Sequence, residues 1–186
     1  MKHILALAML VSAAPSAHAG QAVSSSDWKS FEFLVGEWVS DGAGMPGAGS
    51  GGFSFAFDAG GQVLVRRSSA DYPATGGRAA THHEDLMVLY RDTAGGPIKV
   101  DYFDSEGHVI HYAMDGRSEA GTVRLVSDAA SPGPRYWLSY QQASTDTVAG
   151  QFDIATPGSK EFKPYLRRTA HRKPRARHRA FPVVSQ

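Results

Sequence analysis

The stretch Phe31-Glu32-Phe33-Leu34-Val35-Gly36-Glu37-Trp38 marks the start of the folded part of this chain. It follows a short polar segment and precedes a long series of β-type segments. Glycine has no side chain, so the backbone at Gly36 can approach a neighbouring strand closely. Trp38 supplies a large apolar body whose N–H needs a partner when it is buried. The stretch therefore predicts that the first strand begins here, with Trp38 sealing one end of the fold.

The segments that follow alternate between apolar and polar residues and are separated mostly by short Gly-rich or Pro-rich turns. The clearest is 52–58, where Phe53, Phe55 and Phe57 share one face while Ser54 and Ala56 share the other. Ten strands are predicted, at residues 35–40, 52–58, 62–70, 84–91, 98–104, 108–114, 122–128, 135–142, 147–154 and 162–168.

Ten consecutive short strands without intervening helices predict an up-and-down antiparallel sheet. A sheet of that length exposes unpaired edges unless it closes on itself. We therefore predict an all-β fold, a closed antiparallel barrel of about ten strands with room inside for one small ligand. A two-layer sandwich is the alternative, but its crossing connections need longer loops than most of these.

A short polar segment, residues 20–30, leads into the predicted barrel domain, residues 31–170. Ser26 or Asp27 can cap a short helix that continues to Leu34. Trp28, Phe31 and Leu34 recur at helical spacing. We therefore expect this helix to cover one end of the barrel with its apolar face.

Residues 1–19 differ from the rest of the chain. A basic start is followed by an apolar run at 4–11 and by Ala17-His18-Ala19, which has the form of a signal-peptidase site. We expect a signal peptide that is cleaved after Ala19 and a periplasmic or secreted location. The sequence contains no cysteine, which excludes disulfides, thiol chemistry and a lipoprotein anchor.

Residues 171–186 form a basic segment with five Lys and Arg and no acid. Like-charge repulsion and two prolines predict a disordered tail. Lys2 and this tail hold six of the 19 basic side chains, whereas all 18 acids lie within residues 20–170, which therefore carry a net charge of −5. The tail is suited to weak, salt-dependent contact with anionic surfaces, or it is simply solvated. No specific nucleic-acid partner is expected, because aromatic and basic residues are not interleaved on one strand.

The chain resembles the calycin superfamily, which includes lipocalins, fatty-acid-binding proteins and nitrobindin-like haem barrels. The resemblance depends on Gly36-Glu37-Trp38 after a short helix, a late arginine and the turn Asp104-Ser105-Glu106-Gly107. It is greatest to small exported bacterial calycin-like proteins. It implies that Arg167 or Arg168 packs across Trp38 as a cation–π contact. It also implies that a small apolar or amphipathic molecule binds inside the barrel.

Nitrobindin-like barrels bind haem through a histidine late in the domain. This chain has no histidine between His111 and His171. Haem is therefore not expected, and no other cofactor is predicted.

Several polar side chains are candidates for the ligand-binding site. Because Arg66 and Arg67 are adjacent, one of them must face the interior of a regular strand. An inward arginine needs an acid partner or an anionic ligand, whereas the alternative is an outer-surface arginine paired with Asp or Glu. The predicted ligand-binding residues are Arg66, Tyr102, His108, Arg135 and Tyr140.

The histidines fall into two groups. The first is His82-His83-Glu84-Asp85, a combination capable of acid–base chemistry or metal binding. It lacks the spacing of a site with three or four metal ligands, so no metal site and no catalytic residue are predicted. In the second group, His108 and His111 lie on opposite faces of one strand. Only one of them can line the cavity, and the pattern leaves open which one.

These observations predict an exported barrel that binds a hydrophobic or amphipathic molecule, which can be anionic. One alternative is an enzyme for a small substrate, which requires His83, Glu84 and His108 or His111 to converge at the barrel mouth. A second alternative is an envelope interaction protein that acts through its basic tail. The oligomeric state is not predicted.

Overall fold

The computed structural model describes residues 25–42, 49–116, 119–128 and 133–174, which form one closed antiparallel barrel. Its strands are β1 (Gly36–Ser40), β2 (Ser50–Asp58), β3 (Val63–Tyr72), β4 (Thr81–Tyr90), β5 (Lys99–Asp104), β6 (Val109–Met114), β7 (Thr122–Ser127), β8 (Arg135–Ser144), β9 (Thr147–Ala155) and β10 (Lys163–Arg172). Each strand pairs with its neighbour in the chain, and β1 pairs with β10. The predicted all-β, ten-stranded, closed fold is confirmed. The predicted signal peptide and residues 175–186 of the predicted tail lie outside the described residues.

A 3₁₀ helix, Ser25–Leu34, covers one end of the barrel. Trp28, Phe31 and Leu34 are almost fully buried in the core. Residues three apart lie above one another in a 3₁₀ helix, so these three side chains form one apolar face. The indole N–H of Trp38 donates to the carbonyl of Leu34 at 2.7 Å, which joins the helix to β1. We call this end of the barrel the closed end.

Arg172, near the end of the described chain, joins β10 to β1 and to the helix. It pairs with Trp38 in the strand register, and its Cζ lies 4.2 Å from the indole ring centroid. Its Nη1 donates to the carbonyl of Val35 at 2.8 Å, and its Nη2 donates to that of Phe33 at 2.9 Å. One guanidinium therefore holds the first strand, the last strand and the end of the helix together.

The arginine that packs across Trp38 is thus Arg172 and not the predicted Arg167 or Arg168. Arg167 is exposed, and Arg168 lies over the ring of Tyr72, 5.8 Å from its centroid. The prediction was wrong because β10 continues to Arg172 instead of ending at residue 168. The barrel also extends past the predicted boundary at residue 170, since His171 and Arg172 belong to this strand and not to a tail.

Two glycines allow the close approach of chains around Trp38. Gly36 has φ +127°, and a Cβ atom there would lie 2.8 Å from Nη1 of Arg172. A Cβ atom on Gly52 of β2 would lie 2.1 Å from the carbonyl oxygen of Trp38. A side chain at either position would therefore force the backbone or Arg172 to move.

The interior of the barrel is divided into two unlike halves. Next to the closed end, the inward side chains fill the space and are 0–1% exposed; they are Leu64, Leu89, Val100, Val123 and Val148. At the other end, which we call the open end, β1, β3, β5, β7 and β9 end and β2, β4, β6, β8 and β10 begin. Inward side chains near that end stay partly exposed, as described below.

Replacing Arg172 by alanine should lower the free energy of unfolding by about 2–4 kcal/mol, because two charge-assisted hydrogen bonds and a cation–π contact are lost. Urea-induced equilibrium unfolding measures the change. Arg167→Ala is the matched control, since Arg167 is exposed on the same strand, and it should change stability by at most about 0.5 kcal/mol. Equal losses in the two variants would contradict the closing role of Arg172.

Candidate functional site

The inward side chains near the open end of the barrel form a partly exposed inner surface. The inward faces of the strands are identified by their buried members, Tyr112 on β6, Tyr140 on β8 and Val148 on β9. Other residues on these same faces are only half-buried, which shows that solvent reaches them. We call this partly exposed inner surface the cup, and its side chains are Arg66, Ser68, His83, Asp85, Tyr102, Ile110, Tyr112, Tyr136, Leu138, Tyr140, Phe152 and Ile154.

A buried ion pair lies at the floor of the cup. Arg66 on β3 donates through Nη1 to the carboxylate of Asp85 on β4, with side-chain exposures of 12% and 7%. Burial disfavours the carboxylate, but Arg66, His83 and Ser68 outweigh it and lower the pKa of Asp85. Burial likewise disfavours the guanidinium, but Tyr140 and Asp85 raise the pKa of Arg66. The predicted inward arginine thus has an acid partner within the fold.

Aromatic rings surround this ion pair. The Cζ of Arg66 lies 5.4 Å from the ring centroid of Phe53 and 6.0 Å from that of Tyr140. Tyr140 is only 3% exposed, and burial raises its pKa to about 12. Within the described part of the chain, neither the hydroxyl of Tyr140 nor Nε of Arg66 has a hydrogen-bond partner, although both are buried. Such unsatisfied groups are costly, and a ligand atom or a water molecule can satisfy them.

His83 links the floor of the cup to its rim. Its Nδ1 lies 2.8 Å from Oε2 of Glu106, and its Nε2 lies 3.5 Å from Oδ2 of Asp85. The hydroxyl of Tyr102 lies 3.5 Å from the same Nε2. The hydrogen bond to Asp85 and the interaction with Glu106 outweigh burial and raise the pKa of His83 to about 9. His83 is therefore an imidazolium at neutral pH.

The β5–β6 hairpin forms part of the rim. Tyr102 faces the cup and donates to Oδ2 of Asp104 at 3.4 Å. Asp104 accepts the backbone N–H groups of His108 at 2.8 Å and Glu106 at 3.1 Å, and it contacts Nδ1 of His108 at 2.8 Å. Burial opposes ionisation, but the His108 N–H and imidazole lower the pKa of Asp104. His108 itself is mostly exposed and lies at the rim instead of inside the cup.

Arg135 lies outside the barrel, so its predicted place in the pocket was wrong. It begins β8 and lies on the face opposite to the inward Tyr140. Its Cζ lies 5.4 Å from the ring centroid of Phe162, which also packs against Trp137 on the outer wall. The strand is rich in aromatic residues on both faces, so its sequence pattern did not show which face turns inward.

The predicted enzyme cluster does not converge as a set. Glu84 is exposed and contacts His82 at 3.4 Å on the outer wall. His111 also lies on the outer wall, where its Nδ1 is 2.6 Å from Asp101. Neither residue can meet His83 inside the cup. The sequence left open whether His108 or His111 lines the cavity. In the structure, His111 faces outward and His108 lies at the rim.

Sequence reasoning missed two members of the network, Asp85 as the partner of Arg66 and Glu106 as the partner of His83. Asp85 was recognised only as part of a polar cluster at a strand entrance. In the sheet, Asp85 pairs in register with Ser68, which places it diagonally across from Arg66. Only the strand register brings Asp85 and Arg66 together, and no local sequence pattern predicts this contact.

One group of side chains among the described residues has the ligand types and spacing for a metal ion. Potential ligand atoms of Asp104, Glu106 and His108 all lie within 4.8 Å of one another. These atoms already take part in the hydrogen bonds of the hairpin and of His83. The absence of a metal site stays a prediction.

Two grooves lie on the outer wall of the barrel, away from the floor of the cup. One has a volume of about 320 Å³ and runs over β8, β9 and β10, past Gln141, Gln151 and Arg167. The other has a volume of about 820 Å³ and runs over β1, β2 and β3, past Val39 and Arg67. Both are open to solvent, and neither includes the Arg66–Asp85 pair.

Comparison with known protein families finds no family model that matches this chain, and comparison with curated proteins finds no matching sequence. The case for a function therefore depends on the geometry of the cup. Among the described residues, no helix has both the length and the apolar character that a membrane crossing requires.

The raised pKa of His83 predicts a pH-dependent stability. A histidine whose pKa rises from 6.5 to about 9 on folding stabilises the fold fully below pH 6.5, and this stabilisation is lost as the pH rises through 9. Between about pH 6.5 and 9.5, wild type should therefore lose more unfolding free energy than His83→Gln, as measured by urea unfolding. Val109→Gln, at an exposed position of β6 that carries no titrating group, is the control and should keep the wild-type pH dependence. An NMR titration that finds His83 neutral at pH 8 would contradict this prediction.

Proposed function

We propose that this protein binds a small amphipathic organic molecule in the cup. One observation carries the proposal: partly exposed inward side chains lie above two buried polar groups that have no partner in the described residues, Nε of Arg66 and the hydroxyl of Tyr140. The closed half of the barrel, by contrast, is filled by side chains that are 0–1% exposed. Recesses with an apolar lining and a few converging polar groups are typical of small-molecule sites.

The two sides of the cup differ in chemistry, which supports an amphipathic ligand. The sides formed by β6, β8 and β9 are apolar or aromatic, with Ile110, Leu138 and Phe152 as half-buried members. The ring of Tyr136 stacks on Phe152, with 5.7 Å between centroids and 11° between planes. The sides formed by β3, β4 and β5 carry the polar network of Arg66, Asp85, His83 and Tyr102. A molecule with one apolar and one polar end matches this division.

The enzymatic alternative has less support. Glu84 and His111 lie on the outer wall, so the acid–base set that the sequence suggested is not assembled. The pKa of His83 is raised to about 9, which suits a hydrogen-bond donor and opposes a role as general base at neutral pH. Binding without chemistry is therefore the function that the geometry favours.

We also propose that the chain is an exported calycin-like protein, periplasmic or secreted. The support is the signal-peptide pattern of residues 1–19, together with a closed barrel, a capping helix and an arginine across the first-strand tryptophan. A weak contact with anionic surfaces through the basic C-terminal segment is part of this proposal. Within the described residues, Lys173 contacts Glu37 at 2.9 Å and Arg172 contacts Trp38, so we assign this contact to Arg175, Arg177 and Arg179.

Two neighbouring residues of β6 provide a matched test of the binding site. Ile110 faces the cup, whereas Val109 faces outward and is 55% exposed. Ile110→Trp should fill the cup and weaken binding of the uncharged dye Nile red by about tenfold or more, because overpacking a defined recess costs more than 1 kcal/mol. Val109→Trp should leave the affinity within about twofold of wild type. Fluorescence titration measures both, and native mass spectrometry of the purified protein detects any co-purified molecule.

Two results would refute a binding site in the cup. One is wild-type protein that takes up neither dye nor co-purified molecule. The other is dye binding that Ile110→Trp and Val109→Trp weaken to the same extent, which would place the dye on the outer wall.

A further inference from the structure

We infer that the cup selects a neutral carbonyl oxygen over a carboxylate as the polar group of its ligand. This inference rests on the proposed binding function and adds the chemical class of the polar group. It departs from the expectation that the ligands of the barrel include anionic molecules.

The positive charges of the cup are already compensated. Arg66 is paired with Asp85, and both side chains are almost fully buried. Two further cations face the interior, and both have partners: His83 lies between Asp85 and Glu106, and Arg168 donates to the carbonyl of Gly42 at 3.2 Å and lies over the ring of Tyr72. A carboxylate that entered the cup would leave water, find no unpaired cation and lie near the carboxylate of Asp85. Removing a charge from water without a compensating partner is expensive, and a nearby like charge adds to the cost.

The two buried groups of the cup floor that have no partner among the described residues can both act as hydrogen-bond donors. Nε of Arg66 is a donor, and the hydroxyl of Tyr140 can donate as well. The guanidinium lies against the ring of Tyr140, 6.0 Å from Cζ to the centroid, so both groups belong to one small region of the floor. A carbonyl oxygen has two lone pairs and can accept both donors without bringing a net charge. A ligand without that oxygen leaves both donors unsatisfied, which is how buried polar groups discriminate between ligands.

The tyrosines of the cup support the same conclusion. Burial is the largest cause that raises the pKa values of Tyr102 and Tyr112 well above their usual range, and it raises that of Tyr140 to about 12. Asp85 raises all three pKa values further. Arg66 lowers them, because it favours the anionic forms, but it does not outweigh these effects. Three hydroxyl groups around the floor thus resist becoming anions. A carboxylate of the ligand would meet the same environment.

Three probes of nearly equal shape test the inference at neutral pH. Benzylacetone carries a ketone, hydrocinnamate carries a carboxylate in its place, and butylbenzene carries no oxygen. The wild-type protein should bind benzylacetone about tenfold or more tightly than either of the others, because only the ketone satisfies the two donors without adding charge. Displacement of Nile red, checked by isothermal titration calorimetry, measures the three affinities.

Two variants separate the role of the donors from that of the charges. Tyr140→Phe removes one donor and should weaken benzylacetone binding by about three- to tenfold while leaving butylbenzene unchanged, because one hydrogen bond is lost. Tyr90→Phe, on the outer wall of β4, is the matched control and should change neither affinity. Asp85→Asn removes the partner of Arg66 and should shift the preference toward hydrocinnamate. If that variant does not fold, the comparison of Tyr140→Phe with Tyr90→Phe still decides the question.

The possible failures are distinguishable. If the wild-type protein binds none of the probes and no dye, the proposed function fails and the inference fails with it. If hydrocinnamate binds as tightly as benzylacetone or more tightly, the inference is overturned while the binding function stands. Equal losses of benzylacetone and butylbenzene affinity in Tyr140→Phe would also overturn it, because the hydroxyl would then act only through packing.

Discussion

The contact between Arg172 and Trp38 is the interaction on which the rest of the structure depends. The first strand is short, and its register with the last strand comprises three residue pairs, so backbone pairing alone gives a weak closure. The guanidinium adds a cation–π contact and two hydrogen bonds to carbonyls at the end of the 3₁₀ helix. Closing the sheet and covering one end are therefore achieved by the same side chain. Unpaired edges, which would otherwise invite association with other chains, are removed at the same time.

Sealing one end explains why the two halves of the interior differ. The helix and Trp38 complete a solid apolar half, and the open half is left with side chains that solvent can reach. The Arg66–Asp85 pair lies at the floor of this open half. Burying such a pair gives little net stability, because desolvation offsets the attraction between the charges. The pair fixes the guanidinium of Arg66 in place and leaves its Nε–H as a donor for another partner. A structural ion pair thereby defines the polar end of the proposed binding site.

Each of the four histidines between β3 and β6 has a different carboxylate as its nearest partner. The pairs are His82 with Asp71, His83 with Glu106, His108 with Asp104 and His111 with Asp101. Two of these pairs lie on the outer wall or near it, one links the floor of the cup to its rim, and one lies within the rim hairpin. In sequence the residues look like a dense polar cluster. In space the alternation of the strands distributes them over opposite faces.

The sequence by itself determined the all-β class, the ten strands, their order and the closure of the sheet, together with the helix formed around Trp28, Phe31 and Leu34. These features follow from local alternation, turn residues and spacing, each of which is readable within a few residues. Only the tertiary structure decided which arginine faces the interior, which one faces outward and which one closes the barrel. A strand's register and end are set by the neighbour that it pairs with, and a shift of one residue exchanges its two faces. For that reason Arg66 meets Asp85 inside, Arg135 turns outward against Phe162, and the arginine that closes the barrel lies at residue 172, in a segment whose composition resembles a tail.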